Sequence, residues 1–180
     1  MKSKVILVIN DYKYSLKDII KDKKIYELKP AKYKDIYYKY DNLKDDIYVI
    51  NIGINYIEKL KEIVKYLKPD IVFIPCVDKY TDNINKKMFK YIKKSLKNNT
   101  LVINSNDKYL NKMFYYNFNI YSYGNNLYDD IEFIDKDNNI IFKYNDKKYY
   151  IKNKEKDILG YILIGLLFNI DINNIIEQLS

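Results

Sequence analysis

Few side chains in this 180-residue chain could do chemistry, and the clearest group stands where a strand gives out. Leu101, Val102 and Ile103 form a short apolar run that reads as a buried strand, and Asn104, Ser105, Asn106 and Asp107 follow at once. Open α/β sheets hold their ligands just past such strand ends, so amide and carboxylate groups here could contact a bound molecule. The same groups could simply cap the next helix, because Asn and Asp side chains accept hydrogen bonds from first-turn N–H groups. The sequence leaves both readings open. Composition closes others: with no His and a single cysteine, Cys76, there is no intramolecular disulfide, no Cys/His zinc site and no Ser/His or Cys/His nucleophile pair. Cys76 follows Pro75 at the end of an apolar run and reads as a buried structural thiol that lacks a base.

Lysine supplies all 32 positive charges against 24 acidic ones, for a formal net charge of +8. Lys and Asp alternate in stretches such as "DIIKDKK" and "DKDNNIIFKYNDKK", which predicts a solvated surface and no nucleic-acid partner. Lys, Asn, Ile and Tyr are also what AT-rich codons encode, a further reason to discount the basic charge. The N-terminal "MKSKVILVIND" holds an apolar run too short for a signal-peptide core. The longest apolar stretch, "ILGYILIGLLFNI" at 158–170, is too short to cross a bilayer and reads as a core helix. A cytoplasmic protein with no membrane partner is expected, folded over residues 1–180 as a single domain.

The elements that must position these residues alternate. Strands are expected at Lys4–Asn10, Lys24–Leu28, Asp46–Ile52, within "KPDIVFIPCVD", and at Leu101–Asn104; helices are expected at Tyr14–Lys24, Tyr33–Tyr40, Ile54–Leu67, Asn83–Leu96 and Lys108–Tyr116. This alternation implies a parallel sheet covered on both faces. After Asn117 the pattern changes to four short strand-like runs, "FNIYSYG", "DIEFID", "NNIIFKYN" and "KKYYIK", with no helix-length gaps, which predicts an antiparallel meander. Helices from about Glu155 to Phe168 and over Asn173–Leu179 close the chain. The expected core comprises Val5, Leu7, Ile9, Val49, Ile71, Phe73, Leu101 and Ile103, with Leu159, Ile162, Leu163, Leu166 and Leu167 as the inward face of the long helix. The fold class is α/β: a parallel, Rossmann-like sheet flanked by helices, with a smaller antiparallel sheet in the C-terminal half.

The succession "VINSND", "IYSYG", "DIEFID", "IIFKYN", "YYIK", "ILGYILIGLLFNIDINNIIEQLS" resembles the central ATP-binding domain of the Mur ligase family. Upstream, "LKPDIVFIPCVDKYTDN" and "KKMFKYIKKSL" look like the family's strand and lysine-bearing helix. Each word is short; their order and spacing carry the likeness.

That resemblance implies ATP and magnesium as cofactors, and activation of a carboxylate as an acyl phosphate for attack by an amine. It places phosphate-loop remnants at Lys13 and Ser15, base- and ribose-side contacts at Asn104, Asn106 and Asp107, and magnesium-side positions at Asp78, Asp82 and Lys93. It also shows departures. A phosphate cradle needs glycines whose N–H groups can converge on the phosphates, and no glycine occurs between Met1 and Ile52. The family's metal-binding Glu falls at Asn51, and its Asp-His pair falls in "VDKYTDN", where there is no His. The expectation is a non-catalytic binding or regulatory module, working with a protein partner that supplies the missing ligase domains. The alternative is an ATP-dependent carboxylate–amine ligase subunit with an atypical phosphate loop.

Overall fold

Five consecutive apolar residues, Val5 to Ile9, leave a strand no polar face, so it must be covered on both sides. In the computed structural model, which describes residues 3–9, 14–28, 36, 46–53, 58–77, 82–95, 100–116, 118–136, 139–152 and 155–179, this strand lies deep within the sheet. β1 (Lys4–Ile9) pairs in parallel with β3 (Ile47–Ile52) on one side and β4 (Ile71–Ile74) on the other. β2 (Ile25–Leu28) extends the sheet beyond β3, and β5 (Thr100–Asn104) extends it beyond β4. With β6 (Asn119–Gly124), β7 (Ile131–Lys136), β8 (Ile140–Tyr144) and β9 (Lys147–Ile151), the nine strands run in the order β2-β3-β1-β4-β5-β6-β7-β8-β9.

Two cores result, one on each face. On one, β1, β3 and β4 turn Leu7, Ile50 and Val72 towards α1 (Leu60–Leu67), α2 (Asp82–Ser95) and a 3₁₀ segment at Leu110–Tyr115. On the other, Ile6, Val49 and Phe73 meet α3 (Ile158–Leu167), α4 (Ile172–Leu179) and the apolar trio Leu16, Ile19 and Ile20. All eight expected strand residues of the core are buried. α3 has no single inward face: Ile158 to Gly165 are buried all round between sheet, α4 and the Leu16–Ile20 turn, while Leu166 and Leu167 are only partly covered. Gly160 permits that closeness, since a Cβ there would stand 2.4 Å from the Phe73 ring.

Several elements differ from expectation. The helix expected at Tyr14–Lys24 is only a 3₁₀ turn at Leu16–Asp18, because Leu16, Ile19 and Ile20 already reach the core from one turn. Lys108–Tyr116 likewise forms a 3₁₀ segment, buried through Leu110 and Met113. Most of the helix expected at Tyr33–Tyr40 lies outside the described residues; Ile36 is helical and buried. β6 does not open an antiparallel meander. It pairs in parallel with β5, reached by a crossover long enough for that geometry, and β7 pairs in parallel with β6 over Tyr123↔Ile131 and Gly124↔Glu132 only. Antiparallel pairing is confined to β7-β8-β9, continuous with the main sheet. The β8–β9 turn is made by Asn145 and Asp146, both at positive φ (47° and 62°), the type I′ geometry that tight hairpins favour. Among the described residues, no helix is long and apolar enough to cross a membrane.

Candidate functional site

The strand order reverses at β1, with β3 to one side and β4 to the other, and the crevice beyond the carboxyl ends of these strands is where such sheets take ligands. Two groups of side chains stand along this edge.

The first follows β1. Lys13 lies outside the described residues. Ser15 caps the 3₁₀ turn, its Oγ accepting from the Lys17 N–H at 3.2 Å. The same hydroxyl donates to Glu27 Oε2 at 2.6 Å, and the Leu16 N–H donates to Glu27 Oε1 at 2.6 Å. A carboxylate from β2 thus takes the two donors that a phosphate oxygen would need at this turn, and each bond is short and charge-assisted. Beside it on the sheet, Asn51 pairs in register with Val8, is fully buried, and hydrogen-bonds through neither side-chain atom. A neutral, unsatisfied amide therefore stands where the resemblance puts a carboxylate ligand.

The second group ends β5, and here Asn104, Asn106 and Asp107 are brought together. Asn104 Oδ1 accepts the Asn106 N–H at 3.0 Å, closing a local turn. Asp107, only 3% exposed, accepts the Tyr109 and Leu110 N–H groups on Oδ1 at 2.9 and 3.1 Å, capping the 3₁₀ segment. Its Oδ2 accepts the Val77 N–H at 2.5 Å, which ties the end of β5 to the end of β4. Asn106 and Asn125 are doubly bonded: Asn106 Nδ2 donates to Asn125 Oδ1 at 2.7 Å, and the Asn125 N–H donates to Asn106 Oδ1 at 3.0 Å. Buried Ser105 donates to Asp129 Oδ2 at 2.7 Å and accepts from Asn126 Nδ2 at 2.8 Å. The loop after β6 is thereby fastened onto the end of β5. Gly124 makes the approach possible, since a Cβ would fall 2.1 Å from Ser105 Oγ.

The positions expected on the magnesium side are Asp78, Asp82 and Lys93. Asp78 lies outside the described residues, and Asp82 is the first residue of α2. Lys93 is eleven residues further along that helix, about 16 Å along its axis. A crossover helix returns to the opposite edge of the sheet, so Lys93 stands away from the crevice, exposed, with its Nζ 4.2 Å from the centre of the Tyr116 ring. Among the described residues, no three His, Cys, Asp or Glu side chains cluster closely enough to hold a metal ion. Cys76 is partly exposed rather than fully buried.

Sequence reasoning missed Glu27, Asn125, Asn126 and Asp129. A lone acid inside the short apolar run "IYEL" was the one available signal for Glu27, and the dense turn chemistry of "GNNLYDD" for the others. In that turn, Asp130 accepts the Ser122 N–H at 2.8 Å. Desolvation outweighs this bond and, with the neighbouring Asp129 charge, holds the Asp130 carboxyl above the ordinary carboxylate range.

No protein-family model matches the sequence, and no curated protein matches it. The three-dimensional likeness is extensive. The chain is similar to MurF ligase from Thermotoga maritima in complex with ADP, at 17% identity and a TM-score of 0.71, over 97% of this chain and 48% of that one. A MurF from Acinetobacter baumannii aligns at 11% identity and a TM-score of 0.76, over 98% and 45% of the two chains. The UDP-N-acetylmuramate:L-alanyl-gamma-D-glutamyl-meso-diaminopimelate ligase from Neisseria meningitides aligns at 10% identity and a TM-score of 0.65, over 98% and 65%. The chain thus has the fold found in Mur ligases along nearly its whole length and spans about half the length of the MurF structures it matches. The likeness that the sequence words carry is borne out as a fold.

Proposed function

We propose that this chain is a Mur-ligase-like binding or regulatory module, related in fold to cell-wall peptide ligases, that does not drive chemistry with ATP. The observation that carries this reading is the Glu27 carboxylate seated on Ser15 Oγ and the Leu16 N–H. A triphosphate entering the turn after β1 would have to displace a negative charge that already satisfies these donors, and until displaced the two anions repel. Asn51 adds to the misfit, because a neutral amide is a poorer magnesium ligand than the carboxylate the resemblance places there. The described residues of the crevice therefore do not fit a magnesium-bound triphosphate, and no catalytic step is assigned to one. The base-side loop keeps its Asn-x-Asn-Asp order as architecture, each of these side chains holding neighbouring backbone or loop. On this reading the protein acts in the cytoplasm, together with a protein partner.

One observation favours the alternative, an ATP-dependent carboxylate–amine ligase subunit: one of the structures most similar to this chain holds ADP. Calorimetry with Mg-ATP, run beside adenosine, separates the two. The module reading expects no magnesium-dependent heat. Micromolar binding that needs magnesium and disappears in Lys13→Ala would establish a working phosphate site and the alternative.

A further inference from the structure

The alternation of Lys with Asp, which argues against nucleic acid for the chain as a whole, breaks down between Asn83 and Tyr128. This segment holds eight lysines and one acid, Asp107, which is buried under three backbone N–H groups. It accounts for +7 of the chain's net +8.

The fold turns this segment into a surface. α2 and the 3₁₀ segment lie on the same face of the sheet, and the loop after β6 flanks the 3₁₀ segment on its other side. A cleft of about 530 Å³ lies between α2 and Tyr116, lined by Lys86, Lys90, Lys93, Lys94 and two aromatic rings, with no acid. A second, of about 520 Å³, runs between the 3₁₀ segment and the loop, lined by Lys108 and Lys112, whose ammonium groups lie over the Tyr109 ring, and by Phe114, Tyr115 and Tyr128. Its one acid, Asp129, is held by Ser105 and Asn126. None of these six lysines pairs with a carboxylate among the described residues. Of the seven large apolar side chains exposed among the described residues, five are here: Phe114, Tyr115, Tyr116, Leu127 and Tyr128. Tyr115 and Tyr128 are 89% and 97% exposed. Among the described residues nothing stacks on the Tyr115 and Tyr128 rings, whereas Tyr14, Tyr123 and Tyr161 spend theirs on the core.

We propose that these two clefts form a binding site for single-stranded nucleic acid, bases stacking on Tyr115, Tyr128 and Phe114 while the lysines of α2 and of residues 108–112 follow the phosphodiester backbone. Stacking rings beside a cationic track are the two components sequence-tolerant single-strand binders combine. Protein interfaces are enriched in Tyr and Phe but depleted in Lys, and six lysines on one surface favour a polyphosphate over a folded protein partner. The inference is independent of the nucleotide crevice and goes beyond the module reading, since none of these side chains touches Glu27, Ser15 or Asn51.

The test is fluorescence anisotropy of a labelled oligothymidylate with the full chain across a salt series. Tyr115→Ala and Tyr128→Ala, both at exposed positions, should each weaken binding by about fivefold or more at constant salt, with unchanged thermal melting. Lys108→Ala/Lys112→Ala should lower the slope of log affinity against log salt by about 1.4, the loss of two single-strand phosphate contacts. Lys147→Ala/Lys148→Ala on β9 removes equal charge elsewhere and should leave affinity within about twofold, since exposed charges beyond a Debye length are screened. Three results would each overturn the proposal: no saturable binding at low salt, tyrosine variants that bind like the wild type, or polyglutamate competing as well as unlabelled oligothymidylate. The last would identify an acidic polypeptide as the occupant.

Discussion

If the loop after β5 is architecture, removing Asp107 should cost stability directly. The carboxylate is 3% exposed and accepts three backbone N–H groups, from Val77, Tyr109 and Leu110. Hydrogen bonds to charged groups contribute roughly 1.5–3 kcal/mol each, and deleting the acceptor leaves buried donors without partners. The three share one side chain and do not add fully, so Asp107→Ala should cost about 3–5 kcal/mol. That is about a fifth or more of the roughly 5–15 kcal/mol that holds a typical domain folded. With a urea m-value of about 2 kcal/mol/M, the midpoint should fall by roughly 2 M at unchanged slope. Asp107→Asn retains one carbonyl oxygen, which can serve Tyr109 and Leu110 or Val77 but not both sets, so its loss should be intermediate. Urea denaturation followed by circular dichroism reads all three proteins. A loss under about 0.5 kcal/mol in Asp107→Ala would refute the reasoning, because a side chain kept for a ligand has no such effect on the protein alone.

Gly124→Ala should cost about 1–3 kcal/mol by overpacking, since its Cβ would collide with Ser105 Oγ at 2.1 Å; a melting temperature equal to wild type would show that the loop after β6 is not clamped as described. Asn51→Leu replaces a buried, unsatisfied amide by an apolar side chain of similar volume and should be neutral or stabilising by about 1 kcal/mol, whereas marked destabilisation would mean that the amide is hydrogen bonded. Asp130 binds its proton more tightly folded than unfolded, so its contribution is most favourable at low pH and is lost as pH rises from the ordinary carboxylate range through its raised folded value. Asp130→Asn keeps an acceptor for the Ser122 N–H and should therefore raise stability at neutral pH relative to wild type and flatten the acid-side pH dependence; an unchanged profile would remove Asp130 as its source.

The strands of the parallel half were legible because burial on both faces leaves an unmistakable run: "VILVI", "IYVINI" and "IVFI" admit little else. α3 was legible for the same reason, its apolar stretch being too short for a membrane and too uniform for a surface helix. The direction of β6 was not: a helix-length crossover was expected over Lys108–Tyr116, but "FNIYSYG" was grouped with the short runs that follow it, and a strand's own residues do not fix its polarity. The roles of Asn104, Asn106 and Asp107 were half legible: spacing showed that they would cap or contact something, but Asn125 and Val77, nineteen and thirty residues away, are partners that only the fold supplies. Glu27 was illegible for the same reason, as its contact with Ser15 spans a turn and an edge strand whose pairing no local pattern announces.

The central claim is that the turn after β1 is already occupied by the protein's own carboxylate, and the backbone amide of Leu16 reports on it most directly. Its N–H donates to Glu27 Oε1, so its chemical shift in a two-dimensional nitrogen–proton spectrum registers any exchange of that carboxylate for a phosphate. On titration with Mg-ATP, the account predicts that the Leu16 amide and its neighbours Ser15 and Lys17 keep their positions throughout. A saturable shift of these three amides at micromolar Mg-ATP, absent with adenosine, would contradict it.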